Sequence, residues 1–222
     1  MKKETDFNLI APVYYPLSRL VFGGAQEKAQ AWFAPSVSPS DKVLIVGAGN
    51  GAAATHFPEN EVFLVEPSSR MIRLARRTNM GRTKIHFYQG TIEQFLGSSH
   101  ETFDTILTAF FFDLFPQEKA EKLFVMLDKR LRTGGTWIFA DFQAGTTGFL
   151  HRLLLNTMYR FFSYLSHITA SEMPEMKNSW RRSYHLYGQK HFFHRLIVAQ
   201  LWKKDRQEYQ SSPADSSFSR RL

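Results

Sequence analysis

Three glycines and one acid carry the chemistry this sequence can do most directly. The aliphatic run Val43-Leu44-Ile45-Val46 passes into Gly47-Ala48-Gly49-Asn50-Gly51 and then Ala52-Ala53-Ala54. That order reads as a buried strand, a tight turn and the start of a helix. Glycines in the turn permit positive φ and let a ligand come close to the backbone. A second apolar run, Val62-Phe63-Leu64-Val65, ends in Glu66. A carboxylate at the tip of a second strand can accept hydrogen bonds from both hydroxyls of a ribose. Together they predict a nucleoside-containing cofactor lying across the ends of two parallel strands. Gly47, Gly49 and Ala52 also satisfy the dinucleotide pattern G-x-G-x-x-G/A. The loop alone therefore leaves the cofactor open, and a glycine turn without a ligand also fits it.

The elements that must hold these residues alternate. Strands are expected at Lys42–Val46, 62–66, 84–88, Phe103–Ala109 and 136–142. Helices are expected from near Gly51, over 71–77 and near 92–96. Another is expected through Ala120, Leu123, Phe124, Leu127 and Leu131, which repeat at three- and four-residue spacing. Gly134-Gly135 closes that unit. Short strands separated by helices imply a parallel sheet with right-handed βαβ crossovers.

Before the first strand, residues 1–40 read as a helical cap. It comprises a bent aromatic stretch at 11–17, helical spacing broken at Gly23-Gly24, and a polar linker at 35–41. Residues 149–165 carry Leu, Phe, Tyr and Met on nearly every face. A core helix, a lid over the ligand cleft and a membrane-surface helix all fit that composition. Another helix is expected to begin at 171–175. Residues 184–187 and 196–202 read as a hairpin joined around 188–194. The polar residues 204–222 read as a disordered tail.

The 222 residues hold 28 Lys and Arg against 20 Asp and Glu, a net charge of +8. Such a balance favours anionic partners. The basic residues are scattered rather than gathered into a patch, so no nucleic-acid partner is expected. The absence of cysteine excludes disulfides, thiolate metal sites and a cysteine nucleophile. The eight histidines show no H-E-x-x-H or comparable spacing, so no metal is expected. Met1-Lys2-Lys3-Glu4-Thr5-Asp6 is not followed by an apolar signal region, and no apolar run reaches the ~18 residues of a membrane span. A cytoplasmic protein without a span is expected; transient membrane-surface contact is left open. The oligomeric state is not legible.

Four segments give the chain its resemblance to class I S-adenosylmethionine-dependent methyltransferases. They are 43–51, the stretch Val65-Glu66-Pro67-Ser68-Ser69-Arg70-Met71, the stretch 103–108, and Leu131-Arg132-Thr133-Gly134-Gly135-Thr136-Trp137. The last is similar to the family's Leu-x-Pro-Gly-Gly turn, with Thr133 in place of proline. Residues 11–22 resemble the ubiquinone/menaquinone-biosynthesis branch, whose members often have Tyr-Asp where Tyr14-Tyr15 stands.

The resemblance implies a Rossmann-like, doubly wound α/β fold. Its seven-stranded sheet would be mostly parallel, with an antiparallel C-terminal strand, in a domain over 41–203 with lid helices inserted at about 145–182. It implies S-adenosylmethionine as cofactor, held by Gly47, Ala48, Gly49, Gly51, Glu66, Pro67, Met71, Gly90, Thr91, Ile92, Ala109 and Phe110. Gly47, Gly49 and Gly51 would lie beside the methionyl part, Glu66 on the ribose and Met71 on the adenine. Thr91 stands where the family commonly has an acid. Methyl transfer needs alignment and exclusion of water, and a base only where the nucleophile must lose a proton. Asp113, Asp141 and His151 are candidates for that base, because they stand at or just after C-terminal strand ends. A small apolar or aromatic acceptor would meet Tyr14, Tyr15, Met158 and Phe162. Alternatives are a nicotinamide-dependent oxidoreductase and a non-catalytic cofactor-binding module.

Overall fold

The computed structural model describes residues 22–78, 81, 84–143, 176–180 and 183–206. Five strands follow the expected alternation: β1 Lys42–Val46, β2 Glu61–Glu66, β3 Lys84–Gln89, β4 Phe103–Ala109 and β5 Leu131–Phe142. A hairpin completes the sheet, with β6 Tyr184–Phe192 and β7 Ile197–Lys204. The order is β3-β2-β1-β4-β5-β7-β6. Pairing from β3 through β5 is parallel, and β7 runs antiparallel to both β5 and β6. This is the mostly parallel seven-stranded sheet expected from the sequence.

Helices cover both faces. One face carries α3 (Ile92–Ser98), α4 (Gln117–Asp128) and α5 (Lys177–Trp180). It buries Leu44, Val46, Ile106, Trp137 and Phe139 with Phe95, Leu123, Phe124 and Trp180. The opposite face carries α1 (Ala25–Ala31) and α2 (Ser69–Ala75), over two further clusters. Alternation along β1 divides its residues between them: Leu44 and Val46 face one side, Val43 and Ile45 the other. Both sides are buried, which accounts for the unbroken aliphatic run.

Four sequence expectations are corrected. The expected helix after Gly51 is only a 3-10 turn, Ala52–His56, because Pro58 follows closely and disfavours helical geometry at Phe57. The helix expected at 71–77 is α2, started by Ser68, whose Oγ accepts from Met71 N at 3.2 Å. Gly134-Gly135 lies inside β5 rather than before it, where the register against β4 shifts. The hairpin loop lies at 193–196 rather than 188–194. Gly188 is a strand residue where the register with β7 shifts, and a Cβ there would lie 2.9 Å from the Phe33 ring. His191 therefore belongs to β6 and is not a turn residue, whereas His194 is an exposed turn residue.

Tyr14, Tyr15, His151, Met158 and Phe162 lie outside the described residues, as do residues 149–165 and 207–222.

Candidate active site

The parallel strands deliver their C-terminal ends to one edge, where ligands bind in open α/β sheets. Gly47, Gly49 and Gly51 have φ of 66°, 56° and 77°, all left-handed. Glycine holds these angles without Cβ strain. Gly47 N and Ala48 N both donate to Val65 O, at 3.0 and 3.2 Å, tying the loop to the end of β2. Beside it, the Phe111 ring closes in from the segment after β4. A Cβ at Gly47 would lie 3.1 Å from Phe111 Cδ2.

Glu66 is 6% exposed. Its Oε2 accepts from Gly49 N and its Oε1 from Ser68 N, each at 2.9 Å. Burial pushes this carboxyl above its ordinary range, and the two amides oppose that shift. An ionised carboxylate offers about four acceptor positions. Two are taken by the amides, which leaves two for paired hydroxyls. The acid and the glycine loop thus hold each other in place before any ligand arrives.

The other residues expected around the cofactor occupy this same edge. Pro67 links Glu66 to the Ser68 cap, and Met71 is buried in the first turn of α2. Gly90 N donates to Glu66 O at 3.1 Å. A Cβ at Gly90 would strike the Tyr88 ring and Gln94 Oε1, so the glycine makes room for the next cap. That cap is Thr91. Its Oγ1 accepts from Gln94 N at 3.3 Å, while Thr91 N donates to Gln94 Oε1 at 2.8 Å. The hydroxyl is engaged with its helix, and one lone pair remains for an outside donor. Ile92 is buried behind it. Ala109 ends β4, and Phe110 follows with a φ of 52°, strained for a residue with a Cβ. Phe110 N donates to Ala140 O at 2.8 Å.

This turn brings together two residues that the sequence suggested separately. Asp113 lies on the 3-10 turn Phe112–Leu114, and Asp141 near the end of β5. Asp141 is 4% exposed, and its Oδ1 accepts from Phe142 N at 2.9 Å. Burial first, and then the charge of Asp113, push the Asp141 carboxyl well above its usual range. Burial likewise pushes Asp113 up to about 7, against its own amide and that of Leu114. Asp113 Oδ1 is closed to solvent and has no partner, as is Gln143 Oε1.

These shifts predict a pH-dependent stability. A carboxyl with a raised folded value binds more protons folded than unfolded between the two values. Stability then falls as pH rises, here from the ordinary range near 3.8 up to about 7. Thermal melts should show Tm dropping from about pH 5 to about pH 8, with at most about 1.4 kcal/mol lost per pH unit per group. Asp113→Asn should flatten that slope by removing one titrating group and the repulsion on the other. An identical slope in the variant would refute the coupling.

Sequence reasoning missed a polar ladder on the same sheet face. Trp202 Nε1 donates to Gln200 Oε1 (3.1 Å), and Gln200 Nε2 to Gln189 Oε1 (2.7 Å). Gln189 Nε2 then meets His191 Nε2 at 2.8 Å. An indole N–H only donates, so the direction propagates down the chain. His191 Nε2 must accept, which puts the proton on Nδ1, an atom closed to solvent and without a partner. Burial, with Arg195 adding to it, lowers the His191 pKa and favours this neutral form.

Residues 43–135 match the family model described as "Methyltransferase domain". The matched stretch, from β1 to Gly135 in β5, is similar to a methyltransferase domain and covers under half of the chain. Among curated proteins none matches the sequence. Solved methyltransferase structures share its fold. An O-methyltransferase family protein from Burkholderia thailandensis aligns at TM-score 0.65 and 11% identity, over 89% of this chain and 59% of that one. The 1,6-didemethyltoxoflavin-N1-methyltransferase of the same organism, solved with 1,6-didemethyltoxoflavin and S-adenosylhomocysteine, aligns at TM-score 0.61 and 14% identity, over 88% and 85%. The M.jannaschii tRNA m1G37 methyltransferase aligns at TM-score 0.54 and 11% identity, over 82% and 50%. The chain spans 50% of the M.jannaschii tRNA methyltransferase chain, 59% of the O-methyltransferase family protein and 60% of a further match, TnmH. At these identities the likeness is one of fold.

Proposed function

We propose that this chain transfers a methyl group from S-adenosylmethionine to a small apolar or aromatic acceptor. The observation that carries the reading is the Gly49 N to Glu66 Oε2 bond, which joins a left-handed glycine loop to a buried acid at the tip of β2. Glycines at the cradle and spare acceptor positions on Glu66 suit a nucleoside with a small charged substituent. In this reading Gly47 to Gly51 hold the methionyl end, Glu66 the ribose, and Met71, Thr91 and Ile92 the adenine. The bound cofactor supplies a methyl carbon already activated by a sulfonium.

Sheet order favours this cofactor over a nicotinamide. A dinucleotide-binding sheet continues as 3-2-1-4-5-6 with every strand parallel. Here antiparallel β7 is inserted between β5 and β6. Among the described residues, Phe110, Phe111, Phe112 and Phe139 crowd the ends of β4 and β5. Their rings support an apolar or aromatic acceptor rather than a strongly polar one. No helix of the described residues is long and apolar enough to cross a membrane.

Calorimetric titration tests the reading. S-adenosylhomocysteine and S-adenosylmethionine should both bind, and NAD much more weakly. Tighter binding of NAD, or no heat from either S-adenosyl compound, would sink it.

A further inference from the structure

We propose that His191 sets acceptor specificity: its Nδ1–H donates to a carbonyl oxygen or ring nitrogen at the end of the acceptor remote from the atom to be methylated. Resting on the methyl-transfer reading, this narrows the small apolar or aromatic acceptor to one that carries such a distal group.

Among the described residues three buried side-chain polar atoms have no partner: Asp113 Oδ1, Gln143 Oε1 and His191 Nδ1. Such atoms are rare in folded proteins, and each needs a cause. The three are distant in sequence but share one edge of the sheet. Asp113 stands just after β4, and Gln143 directly follows β5. β6 and β5 both run antiparallel to β7, so they run in the same direction and end at the same edge. His191 is the last residue but one of β6. Asp141 pairs with Val198, and Val198 pairs with His191, so the two ends are level.

The side of the sheet is also shared. Val198 belongs to the buried cluster of Phe111, Phe112, Phe139, Met176 and Trp180. Residues in register on neighbouring strands point to the same face, which puts His191 on this side with Asp141. Gln143 N continues the β5 ladder by donating to Leu196 O at 2.8 Å, and strand alternation adds Gln143 to the same side. An apolar wall with a few polar atoms left open is the usual lining of a small-molecule site.

The polar ladder makes His191 a donor. Trp202 Nε1 can only donate, and it donates to Gln200 Oε1. That orients Gln200 Nε2 toward Gln189 Oε1, and Gln189 Nε2 toward His191 Nε2. An amide NH2 has no lone pair to offer, so His191 Nε2 holds the lone pair and Nδ1 the proton. The anchor is rigid: Trp202 stacks on the buried Trp180, with centroids 4.9 Å apart and planes 2° from parallel. A donor fixed in this way pairs with a carbonyl or ring nitrogen and is left unpaired against a C–H. Sites of that kind discriminate strongly between analogues with and without the matching group.

The sheet also sets a length. Adjacent strands lie about 4.8 Å apart, so His191 stands about 10 Å from β5. That is the span of two fused rings with a substituent at each end.

Two measurements on the full-length protein test the assignment. Labelled with ¹⁵N-histidine and observed at neutral pH, the His191 ring should be neutral, with Nδ1 protonated and Nε2 bare. Its signals are identified by their loss in His191→Phe. In Gln189→Leu the proton should move wholly or partly to Nε2. A charged ring, or a wild-type proton on Nε2, would overturn the proposal.

The second measurement uses a matched pair of probes, 7-hydroxycoumarin and 2-naphthol. Both have fused rings and a hydroxyl, but only the coumarin has a carbonyl at the far end. Titrated into protein saturated with S-adenosylhomocysteine, 7-hydroxycoumarin should bind about tenfold more tightly. His191→Phe and Gln189→Leu should each cut that preference to about threefold or less. Equal affinities in wild type, no binding of either probe at about 1 mM, or a preference that survives in His191→Phe overturns the proposal. Should His191→Phe fail to fold, Gln189→Leu, at an exposed position, carries both measurements. Failure of wild type to bind S-adenosylhomocysteine sinks the methyl-transfer reading instead, whatever the His191 spectra show.

Discussion

Replacing Glu66 by Gln is expected to weaken S-adenosylhomocysteine binding by about one to two decades. The wild-type carboxylate accepts one amide on each oxygen, from Gly49 and Ser68. Its remaining acceptor positions are those offered to the ribose hydroxyls. Hydrogen bonds to a charged acceptor contribute about 1.5–3 kcal/mol, against about 1 kcal/mol between neutral groups. Glutamine keeps one oxygen and brings an NH2 group in place of the other. Whichever way it turns, that NH2 faces either Gly49 N–H or Ser68 N–H, donor against donor. The variant therefore loses charge on the ribose side and also releases one end of the glycine loop. Tm should fall together with affinity. Isothermal titration alongside thermal melts separates the two effects. A folded Glu66→Gln protein with wild-type affinity would show that the acid serves only to tie the loop to β2.

What could be read in advance follows from the range of each interaction. Lys42–Val46 was legible to the residue because its aliphatic run stops at Gly47, and Phe103–Ala109 has the expected bounds although the apolar Phe110-Phe111-Phe112 follows it directly. Glu66 and the glycine loop were legible because their signals are likewise short-range. The hairpin turn was not. It is built from Phe193, His194 and Arg195, all at positive φ, with no glycine, asparagine or proline to mark it. Gly188, which looked like the loop, serves instead to admit the Phe33 ring. Asp113 and Asp141 were each visible as strand-end acids. Their influence on each other was not visible, since it depends on the register of β4 against β5 and on a left-handed phenylalanine at 110. The Trp202 to His191 ladder is equally a product of register, because its glutamines look like ordinary surface residues in sequence.

Truncating Trp137 to Ala is expected to cost about 3–5 kcal/mol of stability. Trp137 is wholly buried and stacks on Phe124, with ring centroids 4.8 Å apart and planes 9° from parallel. Trp180 meets it edge-on at 5.0 Å, so the indole joins α4 and α5 to the sheet. Its Nε1 donates to Thr108 Oγ1 at 2.9 Å, locking β5 to β4. Truncation leaves a cavity between four aromatic neighbours, Phe112, Phe124, Trp180 and Tyr184, and strips a buried hydroxyl of its donor. Whole domains are stable by only about 5–15 kcal/mol, so the loss is a large fraction of the total. For a chain of this size Tm should fall by about 6–20 °C. Trp137→Phe retains most of the ring contact but not the hydrogen bond, and should lose much less. Trp32→Ala provides the contrast, because Trp32 is 49% exposed and little of its burial can be forfeited. Trp137 also stands four residues before Asp141 on β5, so the same packing sets the height of Asp141 against the turn that bears Asp113. A Trp137→Phe protein that keeps the wild-type slope of Tm against pH, beside a Trp137→Ala protein that loses it, would tie the two acids to this packing. Urea unfolding that differs from wild type by under about 1 kcal/mol in Trp137→Ala would remove the aromatic cluster from any such role.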